Sequence, residues 1–257
     1  MRIGVCATHD RWGIVSAAGY DYVEGNFSKI ATASDAGFEE MMAARLACGL
    51  EMEVTNGFFP SDFVLYSKDD FEGIKKKVRE FCEIGFARGA ALGQRIAVIG
   101  SSGARNIRED YTREEAEAQF CEVLRICGEV GAKYGVCVTV EPLNAKETNF
   151  INTYAEGLRI ARKANHPNVL SMIDFYHHAV NGEPIETIDG TKGILVHTHI
   201  ARADRNTPTL DDLSELAPKV EYLKNTGYEG RMSLECRHVP DFETSVKNAY
   251  ELLKLFR

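Results

Sequence analysis

The chain has 257 residues, 44% of them hydrophobic, enough to bury one large core and the usual size of an eight-stranded α/β barrel. A formal net charge of -8 argues against a nucleic-acid or anionic-membrane surface, because neutralising phosphates takes clustered lysines and arginines. The opening MRIGVCATHD lacks the apolar stretch of a signal peptide and no run of about 18 apolar residues occurs, so a cytoplasmic protein acting on a small molecule, not bound to nucleic acid or membrane, is expected.

In chain order, short apolar runs alternate with helical patterns, the signature of βα units around a parallel sheet. The first strand is expected over residues 2–7 and is followed by only a dozen residues, 9–19, with Gly13 and Gly19 inside, so the first helix should be short or irregular. Strands follow at 20–24 and 51–55, then a helix at 68–92 and a strand at 95–100. A helix at 112–134 opens on Thr112 with Glu115 three residues on, a capping box, and Gly135 ends it. Four more strands are expected at 136–141, 169–174, 194–199 and 231–236, and IAVIG, VCVTVE, ILVHTH and MSLEC read as buried parallel strands. In the last helix, 241–256, Phe242, Val246, Ala249, Leu253 and Phe256 form one apolar stripe. No linker or low-complexity stretch interrupts the pattern, so a single (β/α)8 TIM-barrel domain over 1–257 is expected. Cysteines 6, 48, 82, 121, 127, 137 and 236 contain no CxxC pair and fit reduced, buried thiols.

In such a barrel the chemistry sits at the C-terminal ends of the strands. The ends of strands five to eight carry Glu141, Asp174, His199 and Glu235. Three carboxylates and one imidazole buried together need a counter-charge, which one divalent metal ion supplies. An oxygen-rich set with a single nitrogen favours an octahedral ion, Mn²⁺ (manganese) first, with Mg²⁺, Co²⁺ or Zn²⁺ as alternatives. Four protein ligands leave two positions for the adjacent oxygens of a hydroxy-carbonyl compound.

The segments VEPLN, IDFYHH, HTHIARADR and SLEC, in this order within residues 136–240, resemble the xylose-isomerase-like superfamily of sugar isomerases and epimerases. They are similar in particular to the ketose 3-epimerase group (D-tagatose and D-psicose 3-epimerases), with hydroxypyruvate isomerases as cousins. The resemblance implies that Glu141, Asp174, His199 and Glu235 are metal ligands and that Glu147, His177 and Arg205 contact substrate. It also implies proton transfer through a cis-enediolate, with Glu141 and Glu235 on opposite sides of the substrate, one removing the proton and the other returning it. Return to the opposite face gives epimerisation, return to the neighbouring carbon aldose–ketose isomerisation; the ligand set leaves both open. A homodimer or homotetramer is a further implication. The amino-terminal half aligns only in architecture, with Trp12 as a candidate pocket wall. The GSSGARN segment (100–106) is more like that of sugar-phosphate isomerase relatives, so a sugar and a sugar phosphate are both open as substrate.

Plainer readings stand beside these. A lone strand-end acid is often a helix cap or an ion-pair partner, and the four together could form only a polar network. His197 is read as packed behind His199, and His178 as facing solvent or helix. Glu24 and Asn56 are expected to line the pocket. Residues 100–103 with Arg105 form either a phosphate cradle or a flexible loop. Lys75–Lys77, near Glu72 and Glu80, make a solvated face. An endonuclease IV-like phosphodiesterase would need more histidines and a less acidic chain. A metal-bound sugar-binding or regulatory protein without turnover would need a lost base, yet both Glu141 and Glu235 are present. A lyase or dehydratase using the same enediolate stays open.

Overall fold

Eight parallel strands, β1 (Arg2–Cys6), β2 (Tyr22–Asn26), β3 (Val54–Asn56), β4 (Ile96–Ile99), β5 (Cys137–Val140), β6 (Val169–Asp174), β7 (Leu195–Ile200) and β8 (Arg231–Leu234), pair in sequence order. β8 pairs back onto β1, so the barrel is closed in this computed structural model, which describes residues 1–257. Around it run α1 (Trp12–Ala18), α2 (Phe27–Thr32), α3 (Asp35–Cys48), α4 (Phe71–Leu92), α5 (Ser102–Arg105), α6 (Arg113–Lys133), α7 (Tyr154–Lys163), α8 (Phe175–Val180), α9 (Leu213–Asn225) and α10 (Phe242–Leu253). None is long and apolar enough to cross a membrane.

Inside the barrel, Tyr22, Val54, Ile96, Val98 and Met172 pack together, and the Tyr22 hydroxyl meets Ser233 Oγ at 2.8 Å. Gly4 on β1 makes room for that ring, since a Cβ there would lie 2.3 Å from it. At the opposite end from the strand C-termini, buried Glu53 is held by Arg2 and Arg231. These contacts fill the barrel, so the only chemistry-bearing face is the rim where the strands end.

Local signals act as expected at the long helices. Thr112 and Glu115 form a reciprocal capping box at the start of α6, and Gly135, at φ 70°, follows its end. All five residues of the α10 stripe are buried. Three expectations shift. α4 begins at Phe71 rather than 68 because Asp70 caps it, accepting from Gly73 N at 2.8 Å. β2 starts two residues later than expected: Tyr20 lies outside the barrel with its hydroxyl on Val246 O, and Tyr22 is the tyrosine that enters it. β3 is only three residues long, and two short caps, Asn26 and Ser34, start helices α2 and α3 in the stretch before it. The first βα unit is indeed abbreviated: a 3-10 turn at His9–Arg11 leads into seven-residue α1, which Gly19 ends at φ 96°.

Candidate metal centre

Neighbouring strand ends deliver the four acids and bases to one point. β6 and β7 pair with Asp174 beside His199, Glu141 follows β5 directly, and Glu235 follows β8. One ligand atom from each of Glu141, Asp174, His199 and Glu235 lies within 4.8 Å of the others. His199 turns Nδ1 to the centre, 3.2 Å from Glu141 Oε1 and 3.6 Å from Glu235 Oε2. Asp174 has two tasks: Oδ1 accepts from Tyr176 N at 2.8 Å as the cap of α8, and this leaves Oδ2 facing the cluster, buried and without a partner. Glu235 is held from both sides, by Asn56 Nδ2 at 3.1 Å and Arg205 Nη2 at 2.9 Å. Glu141 fits only because position 100 is glycine; a Cβ there would sit 2.1 Å from its Oε2.

The electrostatics show a shortage of positive charge. Burial, with Glu235 and Glu141 close by, pushes the Asp174 carboxyl up to about 8. Burial also raises Glu141, partly offset by its bond to His199. Burial alone would lower His199, but Glu24 and Glu235 outweigh it and hold the imidazole well above its usual range. An unpartnered carboxylate oxygen, three clustered acids and one inward-facing imidazole nitrogen match the donor set of a divalent cation, so the residues present fit such an ion.

A second group flanks the cluster. Asn144 Nδ2 donates to Glu147 Oε1 at 3.0 Å and lies 2.8 Å from His177 Nδ1, while Arg205 Nη1 reaches Glu147 at 3.1 Å. Glu147, His177 and Arg205, expected from sequence to work together, are therefore brought together. The backbone N–H of Asn144 also points to His177 Nδ1, which makes that atom the acceptor and puts the ring proton on Nε2. Nε2 has no hydrogen-bond partner and sits 3.5 Å from Asp174 Oδ2. Burial, with Arg205 nearby, lowers His177 to about 3, so it is a neutral N–H donor aimed into the site. Arg205 itself adopts φ 61°, a left-handed conformation costing on the order of 1 kcal/mol, fixed by bonds to Arg202 O and from Arg237 N. Its guanidinium lies over Tyr176 at 4.8 Å.

Next to the cluster a cavity of about 230 Å³ opens at the ends of β1 to β3, lined by Trp12, Thr8, Lys29, Met41, Met52 and others. It reaches the cluster through Glu24 and Asn56, and Trp12 forms part of its wall, with Nε1 donating to Ala7 O at 3.0 Å.

One expectation is corrected. Arg105 does not face a ligand: it is fully buried and its guanidinium bonds the carbonyls of Ile99, Glu141 and Ile151. Ser101 Oγ accepts from Phe59 N, and through Arg105 the 100–106 segment buttresses the Glu141 backbone. His178 takes the helix-facing of its two readings: it is buried and meets Thr187 Oγ1, in the 3-10 turn Ile185–Ile188, at 3.1 Å. Glu24 does more than line the pocket, since it contacts both His197 and His199. Asn144 was not singled out from sequence, although it stands in the VEPLN segment itself, and Gly100 was read there only as part of a cradle or loop.

The model of the xylose isomerase-like TIM barrel family matches residues 12–256. The chain is 32% identical over 118 residues to 3-dehydro-D-guloside 4-epimerase of Escherichia coli, a match covering 44% of this chain and 45% of that protein's length. It is 27% identical over 229 residues to D-psicose 3-epimerase of Ruminiclostridium cellulolyticum, covering 86% of this chain and 75% of that one. A crystal structure of D-psicose 3-epimerase with D-tagatose from Clostridium cellulolyticum superposes with a TM-score of 0.82 at 20% identity, covering 100% and 98% of the two chains.

Proposed function

Since the chain belongs to the xylose isomerase-like TIM barrel family, we propose that it is a divalent-metal-dependent sugar epimerase or isomerase, of the ketose 3-epimerase kind, working as a single barrel domain over residues 1–257. The convergence of Glu141, Asp174, His199 and Glu235, with Asp174 Oδ2 left without a partner, is the observation that carries this reading. Named relatives that epimerise psicose and a dehydro-guloside support the substrate class. Mn²⁺ is the ion to test first, and a cytoplasmic location accords with the reading.

When bound, a divalent ion supplies Lewis-acid polarisation of a carbonyl and its neighbouring hydroxyl, which acidifies the C–H between them. The protein's own part is positioning and proton transfer. Glu141 and Glu235 both come to the cluster, 3.2 and 3.6 Å from His199 Nδ1, and a substrate carbon held between them would meet one carboxylate as base and the other as acid. Arg205 and Asn56 hold both oxygens of Glu235, which fixes the direction of its proton transfer. His177 Nε2–H donates to a sugar oxygen, and Glu147 with Arg205 takes the adjacent hydroxyl. The cavity at β1 to β3 receives the remaining carbons, with Trp12 as an apolar wall. With Arg105 committed to backbone carbonyls, a free sugar is favoured over a sugar phosphate.

The test is NMR of deuterium wash-in from D₂O across free and phosphorylated ketoses, comparing Mn²⁺-loaded wild type with Glu235→Gln. Exchange at a single carbon, lost in the variant, is expected, and the labelled carbon separates 3-epimerisation from isomerisation. No exchange anywhere in the panel, despite tight metal binding, would overturn the reading in favour of a binding protein.

A further inference from the structure

Glu24, on β2, is buried to 1% exposure where the cavity at the ends of β1 to β3 meets the cluster. Both of its carboxylate oxygens are used: Oε1 lies 2.8 Å from His199 Nε2 and Oε2 lies 3.1 Å from His197 Nε2. We propose that Glu24 is the positioning residue of the metal centre, holding His199 with its proton on Nε2 and its Nδ1 lone pair turned to the ion, and using His197 as its own second support. This rests on the reading that the cluster holds a divalent cation.

An ionised carboxylate can only accept, so a ring nitrogen bonded to it must carry hydrogen. Without an ion both ring nitrogens of His199 face carboxylates, so both carry hydrogen; a cation would displace the proton of Nδ1, the atom turned to Glu141 and Glu235, while the shorter bond to Glu24 keeps the one on Nε2. The same rule puts the His197 proton on Nε2, and its Nδ1 is indeed buried without a partner. The two rings stand edge to face at 4.8 Å and 88°, each bonded to its own oxygen of Glu24. Cys6, Glu24 and His199 also lie close enough to suggest a second ion. That site would need His199 Nε2 as a ligand, which its bond to Glu24 forbids.

The test uses the full chain with ¹⁵N-labelled histidine and ¹¹³Cd²⁺ as the probe ion, with Mn²⁺ affinity measured separately by EPR of the free ion. One-bond ¹¹³Cd coupling to His199 Nδ1, with a proton retained on Nε2, is expected in wild type. Glu24→Gln, which keeps the shape and removes the charge, should weaken Mn²⁺ binding about 10–100-fold, and Glu24→Asp should fall between the two. Coupling through Nε2, a second Cd²⁺ carrying the shift of a thiolate ligand from Cys6, or unchanged Mn²⁺ affinity in Glu24→Gln would each overturn the inference. Should Glu24→Gln fail to fold, the wild-type coupling pattern decides by itself. Failure of wild type to bind either ion would instead sink the metal reading, and this inference with it.

Discussion

Glu141 and Gly100 show how much of a site can hang on an atom that is absent. The carboxylate occupies the space that a side chain at position 100 would take, and its carbonyl is tied down by Arg105 Nη1 at 2.7 Å. Gly100→Ala would put a methyl group 2.1 Å from Glu141 Oε2, and the acid must swing away because it is the more mobile partner. We expect the variant to fold and to lose about 10-fold or more in metal affinity, measured by competition with a chromogenic chelator. Unchanged affinity would mean that Glu141 has another seat. At this scale the sequence was informative about residue types and silent about neighbours. Strand-end position was enough to select Glu141, Asp174, His199 and Glu235, because each sits at the end of an apolar run. The bond from Glu24 to His199 spans 175 positions, and no local pattern announces it.

Helices reveal why some elements were legible. α4, α6 and α10 are at least 12 residues long and carry an apolar face, a period that reads directly from the chain. α5 and α8 have four and six residues, less than two turns, and depend on tertiary contacts such as the Asp174 cap, so no periodicity marks them. Neighbouring helices are clamped by charge as well as by apolar packing. Glu117 on α6 receives Arg159 of α7 through two bonds of 2.6 Å, and Lys163 adds a third. The Arg159 bonds, more than the partly opposing burial, bring Glu117 down to about 2. A depressed carboxyl stabilises the fold above its unfolded value near 4.5 and loses that contribution as the pH falls toward 2. Because Arg159 and Lys163 are half exposed, solvent reduces the effect to about 1–2 kcal/mol. Urea midpoints should therefore place Glu117→Gln below wild type at pH 7, with the gap closing between pH 4.5 and pH 2. A gap independent of pH would assign the loss to packing instead.

For the whole molecule, the rim is where stability and function pull apart. Without an ion, three acids from three strand ends repel one another, and Asp174 answers by holding its proton to about 8. Asp174→Asn keeps the side-chain oxygen that caps α8 and is neutral without the proton that Asp174 must take up on folding above pH 3.8, so at pH 7 the metal-free variant should be more stable than metal-free wild type by about 1–2 kcal/mol. Mn²⁺ at a hundred times its Kd should stabilise wild type by about 2.7 kcal/mol and the variant by far less. Thermal melts with and without the ion check both statements, and equal stabilisation of the two proteins would remove Asp174 from the ligand set. The sequence by itself determined the closed eight-stranded barrel and the face on which chemistry occurs, because buried parallel strands demand continuous apolar runs and leave polar residues only where the runs end. Tertiary structure alone decided the assignments of Glu24, Arg105, Asn144 and Gly100. Closure brings β2 opposite β7 and lays the segment after β4 under Glu141, so hydrogen-bond partners that far apart in the chain meet only once the barrel exists.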